Sequence, residues 1–293
     1  MILLESALDY AGLFPPAGLG MAEAVRNFAG YRTGKERGLL GAFVVPVARL
    51  DELAAAARDL LPAHGEPPWA LSVLGGSDPA LERKRIADFG AAHPSMTARS
   101  VERKVETADE VRDVVAALRG DWSLYLEIPA DQNATDDLIA AVAAAGAFAK
   151  VRTGGTTAER VPSSEALARF VVACSNAAVP FKATAGLHHA FLGEYRLTYE
   201  PSSPCAAMHG FLNLFIGAAL LDAGKIGEHE LRAVLEERAR GAFQLEADGT
   251  VRWRDRGARA AEVRRARARL LHSFGTCSFE EPVQELRALE ALA

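Results

Sequence analysis

Phe148-Ala149-Lys150-Val151-Arg152-Thr153-Gly154-Gly155 and Pro180-Phe181-Lys182-Ala183-Thr184-Ala185-Gly186 decide how this chain is read. Each is a short apolar run that stops at glycine, the form of a barrel strand presenting its last residues to the C-terminal rim. Alternate residues of a strand share a face, so Phe148, Lys150 and Arg152 point one way and Ala149 and Val151 the other. The small apolar pair suits packing against helices, which turns Lys150 and Arg152 toward the barrel mouth. By the same parity Lys182 and Thr184 face inward. Lysine is otherwise scarce: of 33 Lys and Arg only six are lysine, the other four being Lys35, Lys84, Lys104 and Lys225.

Similar runs recur along the whole chain. Strand candidates lie at Ala7–Leu13, Leu40–Pro46, Trp69–Leu74, Arg99–Glu106, Ser123–Ile128, Ala147–Thr153, Val179–Ala185 and Ser273–Phe279. Between and after them, helical apolar spacing marks Met21–Tyr31, Leu50–Leu61, Pro79–Phe89, Ala108–Leu118, Thr135–Ala145, Ser163–Ala177, Pro204–Ala223 and Pro282–Leu292. Parallel strands need right-handed crossover helices, so eight of each predict an α/β fold, a single (β/α)8 TIM-type barrel over residues 1–293. Thr135-Asp136-Asp137 reads as a cap with acids in the first turn, Ser203-Pro204 as a cap followed by proline, and Gly224 as a helix stop. Lys225 to Leu271 breaks the repeat. It reads as an insertion between strands 7 and 8, with a helix at Glu228–Arg240, a hairpin turning at Asp248-Gly249, and an arginine-rich helix at Arg259–Leu271 with a solvated face.

Composition narrows the function classes. A chain of 293 residues with 49% hydrophobic and 24% charged residues has ample core, and a net charge of −5 with pI near 5.9 gives no basic field for nucleic acid. The apolar stretch Phe211–Leu221 is too short to span a bilayer, and the N-terminus lacks a basic start and long apolar core, so a cytoplasmic protein without membrane contact is expected. Cys174, Cys205 and Cys277 form no Cys-x-x-Cys, which predicts buried reduced thiols. The expected partner is a small anionic molecule; a homo-oligomer stays open, and no cofactor or metal is required.

A carbonyl compound reacts with a neutral amine, whereas a free lysine has a pKa of about 10.4. Strands lie about 4.8 Å apart, so two inward ammonium groups on neighbouring strands disfavour each other's charge. The alternative is that each lysine pairs with a carboxylate such as Glu127.

Here the chain resembles the deoxyribose-phosphate aldolases and related class I aldolases. Their sixth strand reads like Lys-Thr-Ser-Thr-Gly with the Schiff-base lysine, matched by Lys150-Val151-Arg152-Thr153-Gly154. Their seventh reads like Val-Lys-Ala-Ser-Gly-Gly with a second, tuning lysine, matched by Phe181-Lys182-Ala183-Thr184-Ala185-Gly186. Their last strand reads like Ile-Gly-Thr-Ser-Ser-Gly and holds phosphate on backbone amides, where this chain has Phe274-Gly275-Thr276-Cys277-Ser278. The resemblance implies a carbon–carbon lyase in which Lys150 is the nucleophile, Lys182 its tuning neighbour, and Gly154, Gly155, Gly275, Thr276, Cys277 and Ser278 the substrate cradle. The chain departs from the family at Arg152, at His188-His189, and on the fourth strand, where Glu102 or Glu106 stands in for a proton-relay carboxylate.

Other candidates follow from position. Asp9, at the end of the first strand, reads as catalytic or as a partner for Arg152. Glu127 reads as a general acid/base or lysine partner, and Arg152 as a two-pronged donor for a carboxylate or phosphate. His188 and His189 follow the seventh strand, one as a proton shuttle. His209 and Asn213 are spaced i, i+4 on the predicted seventh helix, touching substrate or forming a polar seam. Two further readings stay open: a metal-dependent hydrolase or isomerase using Asp9, Glu127 and the histidines, and a non-catalytic barrel that binds an anionic metabolite.

Overall fold

A computed structural model of the chain describes residues 1–130 and 135–289. Its strands in chain order are β1 (Leu8–Tyr10), β2 (Leu40–Pro46), β3 (Trp69–Leu74), β4 (Met96–Lys104), β5 (Ser123–Glu127), β6 (Phe148–Arg152), β7 (Phe181–Thr184), β8 (Gly193–Arg196), β9 (Cys205–Met208), β10 (Phe243–Leu245), β11 (Val251–Trp253), β12 (Arg256–Ala258) and β13 (Leu271–Thr276). Eight close into a parallel barrel in the order β1-β13-β7-β6-β5-β4-β3-β2, the predicted architecture. The helices are α1 (Met21–Thr33), α2 (Leu50–Ala57), α3 (Pro79–Ala92), α4 (Ala108–Ala117), α5 (Thr135–Ala145), α6 (Ser164–Asn176), α7 (Phe211–Asp222), α8 (Glu228–Glu236), α9 (Ala260–Arg269) and α10 (Glu280–Ala288). Residues 290–292 of the predicted last helix lie outside the described residues.

Parity along the staves separates core from cavity. Phe43 and Val45, Leu71 and Val73, Leu126, Ala149 and Val151, Phe181 and Ala183, and Phe274 are buried against the helices. Burying such side chains contributes roughly 1.5–3 kcal/mol for each large one, and their β-branched and aromatic character suits the pleat. Helix starts carry their own signals: Asp78 accepts from the N–H groups of Ala80 and Leu81 ahead of Pro79, and Thr107 with Glu110 forms a capping box. Gly224 ends α7 with φ of 66°, the left-handed stop expected there. Thr135 is the first helical residue of α5 rather than its cap, and its hydroxyl donates to the Pro129 carbonyl.

The largest correction is the start of the seventh helix. Ser203-Pro204 does not begin it; Cys205–Met208 instead pairs antiparallel with Gly193–Arg196, and the helix starts at Phe211 behind Gly210. Cys205 is accordingly exposed, whereas Cys174 and Cys277 are buried. Helix α7 is apolar all round because it is covered twice. Phe211 stacks on Phe274 of the barrel at 5.2 Å, while α8 and α9 of the insertion pack on its other side. The predicted hairpin at Asp248-Gly249 forms and gains a third strand, β12. Among the described residues no helix is long and apolar enough to cross a membrane.

Candidate active site

Lys150 on β6 and Lys182 on β7 stand directly opposite each other in the β-ladder. Both reach into the barrel, with side-chain exposures of 7% and 2%. They do not face one another bare. Glu102 of β4, itself 2% exposed, lies between them: Oε2 is 2.7 Å from Lys150 Nζ and Oε1 is 2.7 Å from Lys182 Nζ. Lys150 also meets Glu127 Oε2 at 2.8 Å, and Lys182 meets Asp9 Oδ2 at 2.5 Å. Glu127 continues the chain upward, its Oε1 lying 3.5 Å from Arg152 Nε. Arg152, Lys150 and Lys182 thus alternate with Glu127, Glu102 and Asp9.

Hydrogen bonds hold the carboxylates in place. Ser72 Oγ donates to Glu102 Oε1 at 2.5 Å and lies 2.6 Å from Ser100 Oγ. Asp9 accepts from the Ala42 N–H at 2.8 Å through Oδ1 and from Ser273 Oγ at 2.8 Å through Oδ2. A Cβ on Gly41 would collide with Asp9 Oδ1, so glycine there makes room for the carboxylate. Burial opposes the charge on Glu102, but Lys150 and Lys182 outweigh it and hold the carboxyl well below its usual range. Burial likewise opposes the charge on Lys182, and Asp9 and Glu102 outweigh it, keeping this amine protonated. Glu127 is lowered in the same way: burial raises it, and Lys150 brings it down.

Two expectations change here. Asp9 partners Lys182 and not Arg152, and the repulsion expected between bare ammonium groups is replaced by a shared carboxylate. Of the two relay candidates, Glu102 reaches the lysines, while Glu106 is exposed and pairs with Lys104 at 2.6 Å. Thr184 lines the same hollow beside Gly275, where an added Cβ would come within 3.2 Å of Thr184 Oγ1. Gly154 meets Gly186 so closely that a Cβ on it would stand 2.8 Å from the Gly186 Cα, which joins the loops after β6 and β7. Gly155 packs on the side chain of Arg160.

The histidines lie elsewhere. His188 Nδ1 is 3.0 Å from Glu281 Oε2 and 3.9 Å from Cys277 Sγ. Burial depresses its pKa, but hydrogen bonds that the imidazolium donates to Cys277 and Glu281 outweigh this and lift it to about 9. The pairing with Glu281 favours the charged imidazole. His189 pairs with Glu285 at 2.7 Å and stacks on Tyr195. His209 precedes α7, so the shared helix face with Asn213 does not exist. Its Nε2 donates to the Pro162 carbonyl at 2.8 Å, and its buried Nδ1 has no hydrogen-bond partner among the described residues. Asn213 ties three backbone groups together, accepting from the Leu192 N–H and donating to the Val234 and Glu237 carbonyls. Thr276 and Ser278 bond to each other, and Ser278 Oγ accepts from the Glu281 N–H at the start of α10. Among the described residues no three His, Cys, Asp or Glu side chains converge in a way that could hold a metal ion.

Sequence reasoning missed the supporting shell of Ser72, Ser100, Ser273 and Tyr125. Its one signal is polar residues at inward parity on strands whose outward positions are Val, Leu and Phe. Fold and site together define a (β/α)8 barrel protein with a buried lattice of alternating charge. No family model and no curated protein matches the sequence. Among solved structures, the catalytic domain of a hyperthermophilic chitinase from Pyrococcus furiosus is similar with a TM-score of 0.37 and 12% identity, covering 63% of this chain and 74% of that one.

Proposed function

We propose that the chain is a class I, imine-forming carbon–carbon lyase acting on a small anionic carbonyl compound, with Lys150 as nucleophile. The observation that supports this reading is the pairing of Lys150 and Lys182 across one buried carboxylate, with Lys150 the amine that adjoins Glu127 and the half-exposed Arg152. In this reading Lys150 hands its proton to Glu127 and its nitrogen adds to the substrate carbonyl carbon. The carbinolamine hydroxyl takes that proton back from Glu127 and leaves as water, giving an iminium. Glu127 then takes the proton of the β-hydroxyl, the adjacent C–C bond breaks, and its electron pair moves to the iminium nitrogen as an enamine. Protonation of the enamine and hydrolysis release the second product and restore the amine. Lys182, held charged by Asp9 and Glu102, is a fixed positive pole rather than a second nucleophile. Arg152 supplies the two-pronged contact for the anionic group.

The test is sodium borohydride reduction of the protein with small aldehydes and 2-keto acids, followed by peptide mass mapping. The expected result is a stable adduct on the peptide containing Lys150, lost in Lys150→Met. No adduct, or adducts confined to the surface lysines, overturns the reading and leaves the anion-binding barrel in its place.

A further inference from the structure

The three cysteines stand in three different settings. Cys174 is fully buried within the apolar core. Cys205 is exposed, and among the described residues its thiol has no polar partner. Cys277 is buried beside His188 and Tyr199. It follows the last residue of β13, and its thiol turns to the loop after β7, the neighbouring stave.

The Glu281 carboxylate, 3.0 Å from His188 Nδ1, can only accept, so Nδ1 carries a proton whether the ring is neutral or charged. Nε2 is then the atom that can take a second proton. Among the described residues its one hydrogen-bond partner is Cys277 Sγ, at 4.0 Å. Carboxylate, imidazole and thiol therefore follow in the order in which an acid orients a base and the base takes the proton of a nucleophile, a spacing that is often loose before a reactant arrives. The frame around them is tied together: Thr276 Oγ1 donates to the Ser278 carbonyl at 2.8 Å, and Ser278 Oγ accepts from the Glu281 N–H at 3.2 Å. Tyr199, on the turn of the β8–β9 hairpin, covers the sulfur with its hydroxyl 3.5 Å away and is itself 53% exposed. Cys277 is 5% exposed, so the space beside its sulfur suits a very small reactant.

We propose that Cys277 is a nucleophilic thiol, activated by His188 and oriented through Glu281, that a small hydroperoxide oxidises to a sulfenic acid. With the thiol proton on His188 Nε2, the sulfur attacks one oxygen of the peroxide. The S–O bond forms as the O–O bond breaks, and the departing oxygen takes the proton from Nε2 and leaves as water or an alcohol. Sulfur gives up an electron pair, and the peroxide is reduced by it. The site is independent of imine formation at Lys150.

Treatment of the full chain with hydrogen peroxide in the presence of dimedone, which traps sulfenic acids, followed by peptide mass mapping, tests it. The expected result is an adduct on the Cys277 peptide that forms at least as fast as on the exposed Cys205, with none on Cys174. In a Tyr199→Ala protein, which uncovers the sulfur, adding His188→Gln slows the Cys277 adduct about 100-fold, the lower end for loss of a positioned base. Access is already open in that protein, so the loss reports activation rather than shielding, and circular dichroism checks that each variant folds. A Cys277 that stays unlabelled or lags behind Cys205 in the unaltered protein overturns the proposal, as does a rate that His188→Gln leaves unchanged.

Discussion

Replacing Glu102 by Gln removes one negative charge from the lattice and keeps the shape of the side chain. The variant leaves Lys150 with Glu127 alone and Lys182 with Asp9 alone, in a region where all of these groups are buried or nearly so. Removing one partner of a buried ion pair costs about 3–5 kcal/mol, and the lower end applies because each lysine keeps one carboxylate. About 3 kcal/mol corresponds to a fall of roughly 6–10 °C in Tm for a chain of this size. The pH dependence has a definite sign. The folded carboxyl lies well below its unfolded value of 4.5, so its contribution is fully present above that value and is lost as pH falls toward the folded one. The gap between wild type and Glu102→Gln is therefore constant from pH 7 to about 5 and narrows below 4.5 by up to about 1.4 kcal/mol per unit. Scanning calorimetry of both proteins between pH 7 and pH 3 measures it. Equal Tm values at pH 7, or a gap that does not close in acid, would refute the shared-carboxylate lattice.

Three further outcomes follow from the geometry. The ring protons of His188 titrate by NMR with a midpoint near 9, and Glu281→Gln moves that midpoint down. Because the folded value is raised above 6.5, the stability this pair contributes is full below pH 6.5 and disappears as pH rises through about 9, so Glu281→Gln lowers Tm at pH 6 and hardly at pH 10. Gly154→Ala forces a Cβ against the Gly186 backbone, costing about 1–3 kcal/mol and speeding hydrogen exchange in the loops after β6 and β7. Asn213→Leu strands the Leu192 N–H and the Val234 and Glu237 carbonyls, a loss on the order of 3 kcal/mol in denaturant titration, with borohydride trapping at Lys150 unchanged.

The barrel was legible because its staves carry two independent marks, buried apolar residues at outward parity and glycine or proline at the ends. Leu40–Pro46, Trp69–Leu74 and Thr135–Ala145 have the bounds read from sequence alone. The β8–β9 hairpin was not legible. Cys205-Ala206-Ala207-Met208 has no strong strand former, and it is held extended by partners nine to fifteen residues earlier, which Ser203-Pro204 conceals by imitating a helix start. His209 and Asn213 were misplaced with it, since their common helix face depended on that start.

Parity also told which side chains enter the barrel, but not how deep they sit, and depth decides which of them meet. Asp9 shares a hydrogen-bond row with Gly275, Gly275 with Thr184, and Thr184 with Arg152, so along the ladder Asp9 and Arg152 are level. The staves of such a barrel are tilted, however, and a level measured along the axis slips by about one residue per strand. Two staves separate β1 from β7, so the inward residue level with Asp9 there is two earlier than Thr184, which is Lys182. The same slip over the three staves from β7 to β4 amounts to about three residues below Lys104, the β4 member of the ladder row of Lys182, Lys150 and Glu127, and the inward residue nearest that level is Glu102, two below Lys104. Lys104 is left at the rim, 61% exposed and paired with Glu106. A one-residue error in the start of β4, where a bulge lies between Ala98 and Ser100, is enough to hide this assignment from the sequence.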